Sequence, residues 1–203
     1  MKTCRGLITL LFSLSVLIAF GQKTDMYMGS MDALKGQAKV NLAYDYSDMS
    51  VGDFDKEADY VKEKTADRNK DEAGSGDEWA RKWVEDRKNR FEPKFEELFN
   101  AYLEGSGLKG GDYPDAAYTL VVKTTHTEPG WNVGVMRRPA NINADIWLVE
   151  TGKNDKALGK FSLTKVPGRD VWGYDFDTGS RLEEAYAKTG KEMAQYLVKK
   201  VLK

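Results

Sequence analysis

The 203-residue chain has one cysteine, Cys4, and one histidine, His126. Cys4 falls within the first twenty residues, so the rest of the chain has no disulfide, no thiol nucleophile and no thiolate metal site. With a single imidazole, a metal centre would need carboxylates spaced around His126. None are so placed, and neither a metal nor another cofactor is expected. A hydrolase triad would also have to use His126, yet no G-x-S-x-G elbow accompanies it. Long apolar runs are missing after residue 20, which excludes a later membrane-spanning helix. There is no excess of positive charge either, with 31 Lys and Arg against 32 Asp and Glu. Removing the first 21 residues would take away two of the basic residues and leave a net charge near −3. That argues against nucleic-acid binding, which needs a basic surface to displace phosphate counterions. No internal repeat or low-complexity tract is present.

The N-terminus carries a recognisable pattern. Lys2 and Arg5 precede "GLITLLFSLSVLIAF", residues 6–20, and "AFG" supplies small residues before Gln22. A charged start, a short apolar run and a small-x-small cut are the parts of a secretory signal peptide, expected here over residues 1–21. Cys4 lacks the residues that mark a lipoprotein cut, so export without a lipid anchor is expected, to the periplasm or the exterior. Residues 22–38 show no period and are expected to form a flexible lead-in. Residues 39–203 are long enough for a single domain.

Within that domain "KVNLAYDYS", 39–47, alternates with Val40, Leu42, Tyr44 and Tyr46 on one side, the pattern of a half-buried strand. A charged helix is expected over 55–70, with Ala58, Val61 and Ala66 as its thin apolar stripe. Ser75 and Glu78 have capping-box spacing. Behind them Trp79, Trp83, Phe91, Phe95, Leu98, Phe99 and Tyr102 predict a long amphipathic helix to about residue 104, kinked or divided at Pro93. Three strands follow, facing inward through Tyr118, Leu120, Val122 and Thr124, then Ile142, Ala144, Ile146 and Leu148, then Phe161 and Leu163. A last helix is expected from Ser180, capped with Glu183, and buried through Leu182, Tyr186, Met193, Leu197 and Val201. The order β-α(α)-β-β-β-α predicts a two-layer α+β domain, a four-stranded mixed sheet with two or three helices on one face. The helical crossover predicts that the first strand is parallel to a neighbour.

That element order, the glycine- and arginine-bearing hairpin, the "LVETGK" turn and the terminal helix resemble the periplasmic α/β domain of curli-secretion lipoproteins. The same layout is found in lipoprotein activators of penicillin-binding proteins and in the N-terminal domain of TolB. "NLAYDYSDM" and "FEELFNAYL" are also similar to small exported Bacteroidetes proteins of unknown function. The resemblance spans about residues 38–202 and rests on element order. It implies an envelope protein that binds other proteins and is not an enzyme. The chain departs from the lipoproteins in lacking the anchoring cysteine.

The candidate partner surface is "TEPGWNVGVMRRPAN", residues 127–141, between two strands. A phosphate-binding glycine loop leads from a strand into a helix, which this segment does not. Long connections are often functional, and aromatic residues, methionine and arginine are enriched at interfaces. Trp131, Val133, Met136, Arg137 and Arg138 are therefore the candidate partner-binding residues, and the expected partner is an envelope protein. Weak contact with a membrane surface through Trp131 and the two arginines is a lesser expectation.

The alternative function is carbohydrate or cell-wall binding or turnover on the polar sheet face, through Asn41, Asp45, Lys123, Asn143, Asp145, Trp147, Lys160 and Ser162. If Asp45 and Asp145 lay on paired strands, they would resemble the carboxylate pair of a glycosidase. "YDFDTGSRLEE", 174–184, does not match a calcium-loop register and reads as a helix cap. Trp79 and Trp83 read as core, and the charges over 53–96 as a solvated helix face.

Overall fold

The computed structural model describes residues 23–133, 136–168 and 177–203. The expected signal peptide lies outside these residues, as do Gly134, Val135 and Asp175.

The centre of the molecule is a mixed sheet of seven strands, not four. The expected strands are present as β2 (Lys39–Asp45), β5 (Tyr118–Glu128), β8 (Asn141–Glu150) and β9 (Lys153–Pro167). The three others are β1 (Lys23–Gly29), β3 (Ser50–Val51) and β4 (Lys109–Gly111). The order is β1-β9-β8-β5-β2-β4, with β3 alongside β5 beyond the end of β2. β2 is parallel to β5, as the crossover requires, while β5, β8, β9 and β1 pair antiparallel. The lead-in expected at 22–38 therefore carries structure. β1 borders β9, and Met31 and Leu34 are fully buried in the common core.

The helices are α1 (Glu57–Asp71), α2 (Ser75–Asp86), α3 (Glu92–Leu103) and α4 (Thr178–Lys200). A single π turn, Arg87–Phe91, joins α2 to α3. Pro93 follows directly and has no N–H to donate to the preceding turn, so the wider turn accommodates the lost bond. The division expected at Pro93 is thus a π turn within one continuous rod.

Leu120, Val122, Ile142, Ile146, Leu148, Phe161 and Leu163 point from the sheet into one core with Phe91, Phe95, Phe99, Leu182, Tyr186, Met193 and Leu197 from the helices. Each such fully buried side chain contributes about 1.5–3 kcal/mol. Tyr44 meets Phe95 edge-on at 5.7 Å, and Phe91 stacks on Tyr186 at 4.8 Å.

Several local expectations are corrected. Tyr102 is exposed and sits under the Lys191 ammonium, while Leu103 takes the inward position. In α1 the buried residue is Tyr60; Ala58 and Ala66 face outward. Ser75 Oγ does not cap its own helix but donates to the Arg68 and Glu72 carbonyls at the end of α1. Asp177, not Ser180, caps α4, accepting from the Ser180 N–H at 3.1 Å. Among the described residues no helix is long and apolar enough to cross a membrane.

Candidate functional site

The segment after β5 forms its own two-stranded ribbon, β6 (Trp131–Val133) and β7 (Met136–Arg138), separate from the main sheet. Trp131 pairs with Arg138, Asn132 with Arg137 and Val133 with Met136. Strand alternation therefore puts positions 131 and 138 on one side of the ribbon and position 137 on the other. Trp131 remains 40% exposed, a high value for an indole. Arg137 is exposed as well.

Residues outside the candidate set hold the base of the ribbon in place. Glu128 is 8% exposed; it accepts from the Gly130 N–H and from the Arg138 guanidinium, each at 3.0 Å. Arg138 also reaches Asp53 at 3.3 Å, so part of its charge is used within the protein. From below, Arg181 in the first turn of α4 is 4% exposed and donates to the carbonyls of Pro129 and Gly130. Gly130 has φ +71°, and a Cβ there would lie 2.8 Å from the Arg138 carbonyl oxygen, so the turn requires glycine. Glu128 and Arg181 were missed because acidic and basic side chains at a strand end and a helix start ordinarily read as solvated.

Trp131 and Arg138 form one wall of a cleft of about 220 Å³. Phe54, Tyr60, Trp79 and Pro129 add apolar wall, and Lys64 and Arg68 of α1 stand at its rim. Rings continue inward, with Phe54 to Tyr60 at 5.7 Å and Tyr60 to Trp79 at 5.8 Å. Burial, with Glu128 nearby, pushes the Tyr60 phenol up to about 12. Trp79 is thus only partly a core residue, and its outer edge belongs to this cleft. A longer groove of about 860 Å³ runs on between α2 and the start of α4. Its charges largely satisfy one another, with Lys82 on Glu78 and Arg90 on both Asp86 and Asp177.

His126 lies on β5 beside Ser50 of β3, with Ser50 Oγ 2.9 Å from Nδ1. Burial lowers its pKa below the usual 6.5, and Glu128 only partly opposes this. A folded-state pKa below the unfolded one means that stability is fully present above about pH 6.5 and is lost as pH falls through and below that value. Since this is the only histidine, its imidazole NMR signals are unambiguous. Their titration midpoint is expected below 6.5, and the acid-side fall in Tm should be smaller in His126→Gln. A midpoint at or above 6.5 would contradict the assignment.

The polar face has the expected composition but not the expected pairing. Asp45, Lys123, Asp145 and Ser162 lie in one row across β2, β5, β8 and β9. Two strand spacings, about 10 Å, separate the aspartates, too far for a retaining pair. Lys123 lies between them and reaches Asp45 at 3.2 Å, while Asp145 is held by Lys160 at 2.7 Å and Ser162 at 2.6 Å. Burial raises the Asp45 pKa, but Ser47 and Lys123 outweigh it, and the net shift is downward. That is the opposite of what a general acid needs. The Trp147 ring is covered by the Lys160 ammonium, 4.5 Å from its centroid. Among the described residues, no group of three His, Asp or Glu converges as metal ligands.

No protein-family model matches the sequence, and no curated protein matches it significantly. Among solved structures, a PelC dodecamer from Paraburkholderia phytofirmans is similar over 86% of this chain and 98% of that one, at 14% identity and a TM-score of 0.39. A Xanthomonas campestris protein of the DUF330 family is similar over 49% and 55%, at 12% identity and a TM-score of 0.33. Scores this low establish neither a shared fold nor a shared function.

Proposed function

We propose that the protein is an exported, non-catalytic interaction module that engages an envelope protein through the β6–β7 ribbon. The observation carrying this reading is Trp131: a 40% exposed indole on a ribbon that stands apart from the main sheet. Its base is fixed by Glu128, Arg138 and the buried Arg181. Fixing a projecting aromatic in advance lowers the ordering cost of association, which suits an interface anchor. Export rests on the leader sequence at residues 1–21. The cell-wall alternative has less support, because the aspartates and the indole of the polar face are already engaged by lysines.

A photo-crosslinking residue at position 131, compared with one at position 160 in the producing cells, tests the reading. A discrete protein adduct from 131 alone is expected, and Trp131→Ala should weaken association with that protein by at least about tenfold, as loss of an interface anchor does. No adduct from 131, or the same adducts from both positions, would overturn it.

A further inference from the structure

The cleft beside Trp131 has a chemical bias of its own. It is lined by Phe54, Tyr60, Trp79, Pro129 and Trp131. Its volume of about 220 Å³ falls below the 300–1,000 Å³ of ordinary small-molecule sites and leaves room for a single aromatic ring. Its charges are unevenly matched. Arg138 is held by Glu128 and Asp53. Lys64 and Arg68 make no ion pair among the described residues, and Arg68 instead lies over the Trp79 ring at 5.6 Å. They stand one helical turn apart on α1, an i,i+4 like-charge pair, which is unfavourable in isolation. On the neighbouring α2–α3 rod, by contrast, charges at that spacing are paired, as in Arg81–Glu85, Lys82–Glu78 and Lys88–Glu92. In a chain with more acids than bases, two adjacent uncompensated cations at the rim of an aromatic cleft complement an anion that arrives with an apolar group.

We infer that this cleft receives one aromatic side chain of an acidic peptide segment from the partner protein, with Lys64 and Arg68 taking the flanking carboxylates. The inference rests on the ribbon reading and adds the partner's chemistry. The ring enters between Trp131 and Trp79, where offset or edge-on contacts to indoles are available. The two cations set orientation and speed encounter, and an acidic segment approaches them more readily at low salt.

Fluorescence anisotropy with the purified protein gives the test. The probe is a labelled decapeptide in a Gly-Ser background with a central phenylalanine between two glutamates. Versions with glutamine for glutamate and alanine for phenylalanine are the controls. The acidic aromatic peptide is expected to bind at least about tenfold more tightly than either control at low ionic strength, and to weaken as salt is raised. A K64Q/R68Q double variant should keep its Tm and lose the preference for glutamate. Equal binding of the three peptides, or no binding at roughly 1 mM, would overturn the inference. An adduct at position 131 together with no discrimination among peptides would overturn the cleft assignment alone; no adduct at 131 would overturn the ribbon reading itself.

Discussion

Gly190→Ala is expected to lower Tm by about 4–8 °C, even though alanine is the better helix former. Gly190 lies in the middle of α4, where that helix crosses α3. A Cβ there would sit 2.2 Å from the Phe95 carbonyl oxygen and 3.0 Å from its carbon. The obstacle is backbone and cannot rotate away, and the neighbouring Phe95, Phe99 and Met193 are fully buried. Alanine contributes about 1 kcal/mol of helix propensity, whereas forcing the helices apart costs about 3 kcal/mol, a net loss of about 2 kcal/mol. Thermal unfolding followed by circular dichroism measures it. A Tm equal to or above the parent's would show that the α3–α4 crossing can open without cost, which the close approach contradicts.

Arg181→Met is the second large effect, and it links stability to the ribbon. The guanidinium satisfies the carbonyls of Pro129 and Gly130 and the Thr178 hydroxyl from a position almost wholly out of water. Methionine fills similar space but leaves those oxygens without this donor, at a cost of about 2–4 kcal/mol. Loosening should concentrate at residues 128–138. Amide exchange there is expected to accelerate by more than tenfold while the β5–β8 amides change little, and crosslinking from position 131 should fall. Arg181→Lys retains the charge but not the fork that spans two carbonyls, so it should lie between parent and Met. Unchanged exchange over 128–138 would mean that Arg181 does not hold the ribbon.

The sequence showed the fold most clearly wherever periodicity ran long. The alternation of Ile142, Ala144, Ile146 and Leu148, and the stripe Leu182, Tyr186, Met193, Leu197 and Val201, are all buried as expected. The three extra strands were not legible. β3 has two residues and β4 three, too few to show a period, and two of the three in β4, Gly110 and Gly111, have no side chain to mark a face. Gly110 is there for another reason: a Cβ would lie 2.5 Å from the Phe99 ring. β1 is pinned to β9 through backbone hydrogen bonds, which leave little trace in side-chain pattern.

For the candidate site, Trp131 and the arginines were legible as a composition, and the structure shows what each does. Arg138 is exposed but tied to Glu128 and Asp53 at the base of the ribbon, and Trp131 presents an exposed indole beside it. The cleft was not legible, because its walls come from residues 54, 60, 79 and 131, brought together only by tertiary packing. The expected carboxylate pair failed on strand order, since β5 lies between β2 and β8. With Asp45 opposite Lys123 and Lys123 opposite Asp145, the aspartates share a row but stand two strand spacings apart, with a lysine between them.

The position of β1 bears on the order in which the chain becomes native. Lys23 pairs with Thr164 and Gly29 with Gly159, so the first described strand docks on the last. A chain emerging from its N-terminus cannot complete this edge until β9 exists, and closing so long a loop makes it a late event in folding. Until then β9, fifteen residues long, presents an open row of hydrogen-bonding groups. The same edge is expected to fray first in the finished protein, at a free energy well below that of global unfolding. Misassembly between copies would then begin at β9, at the opposite edge of the sheet from β4.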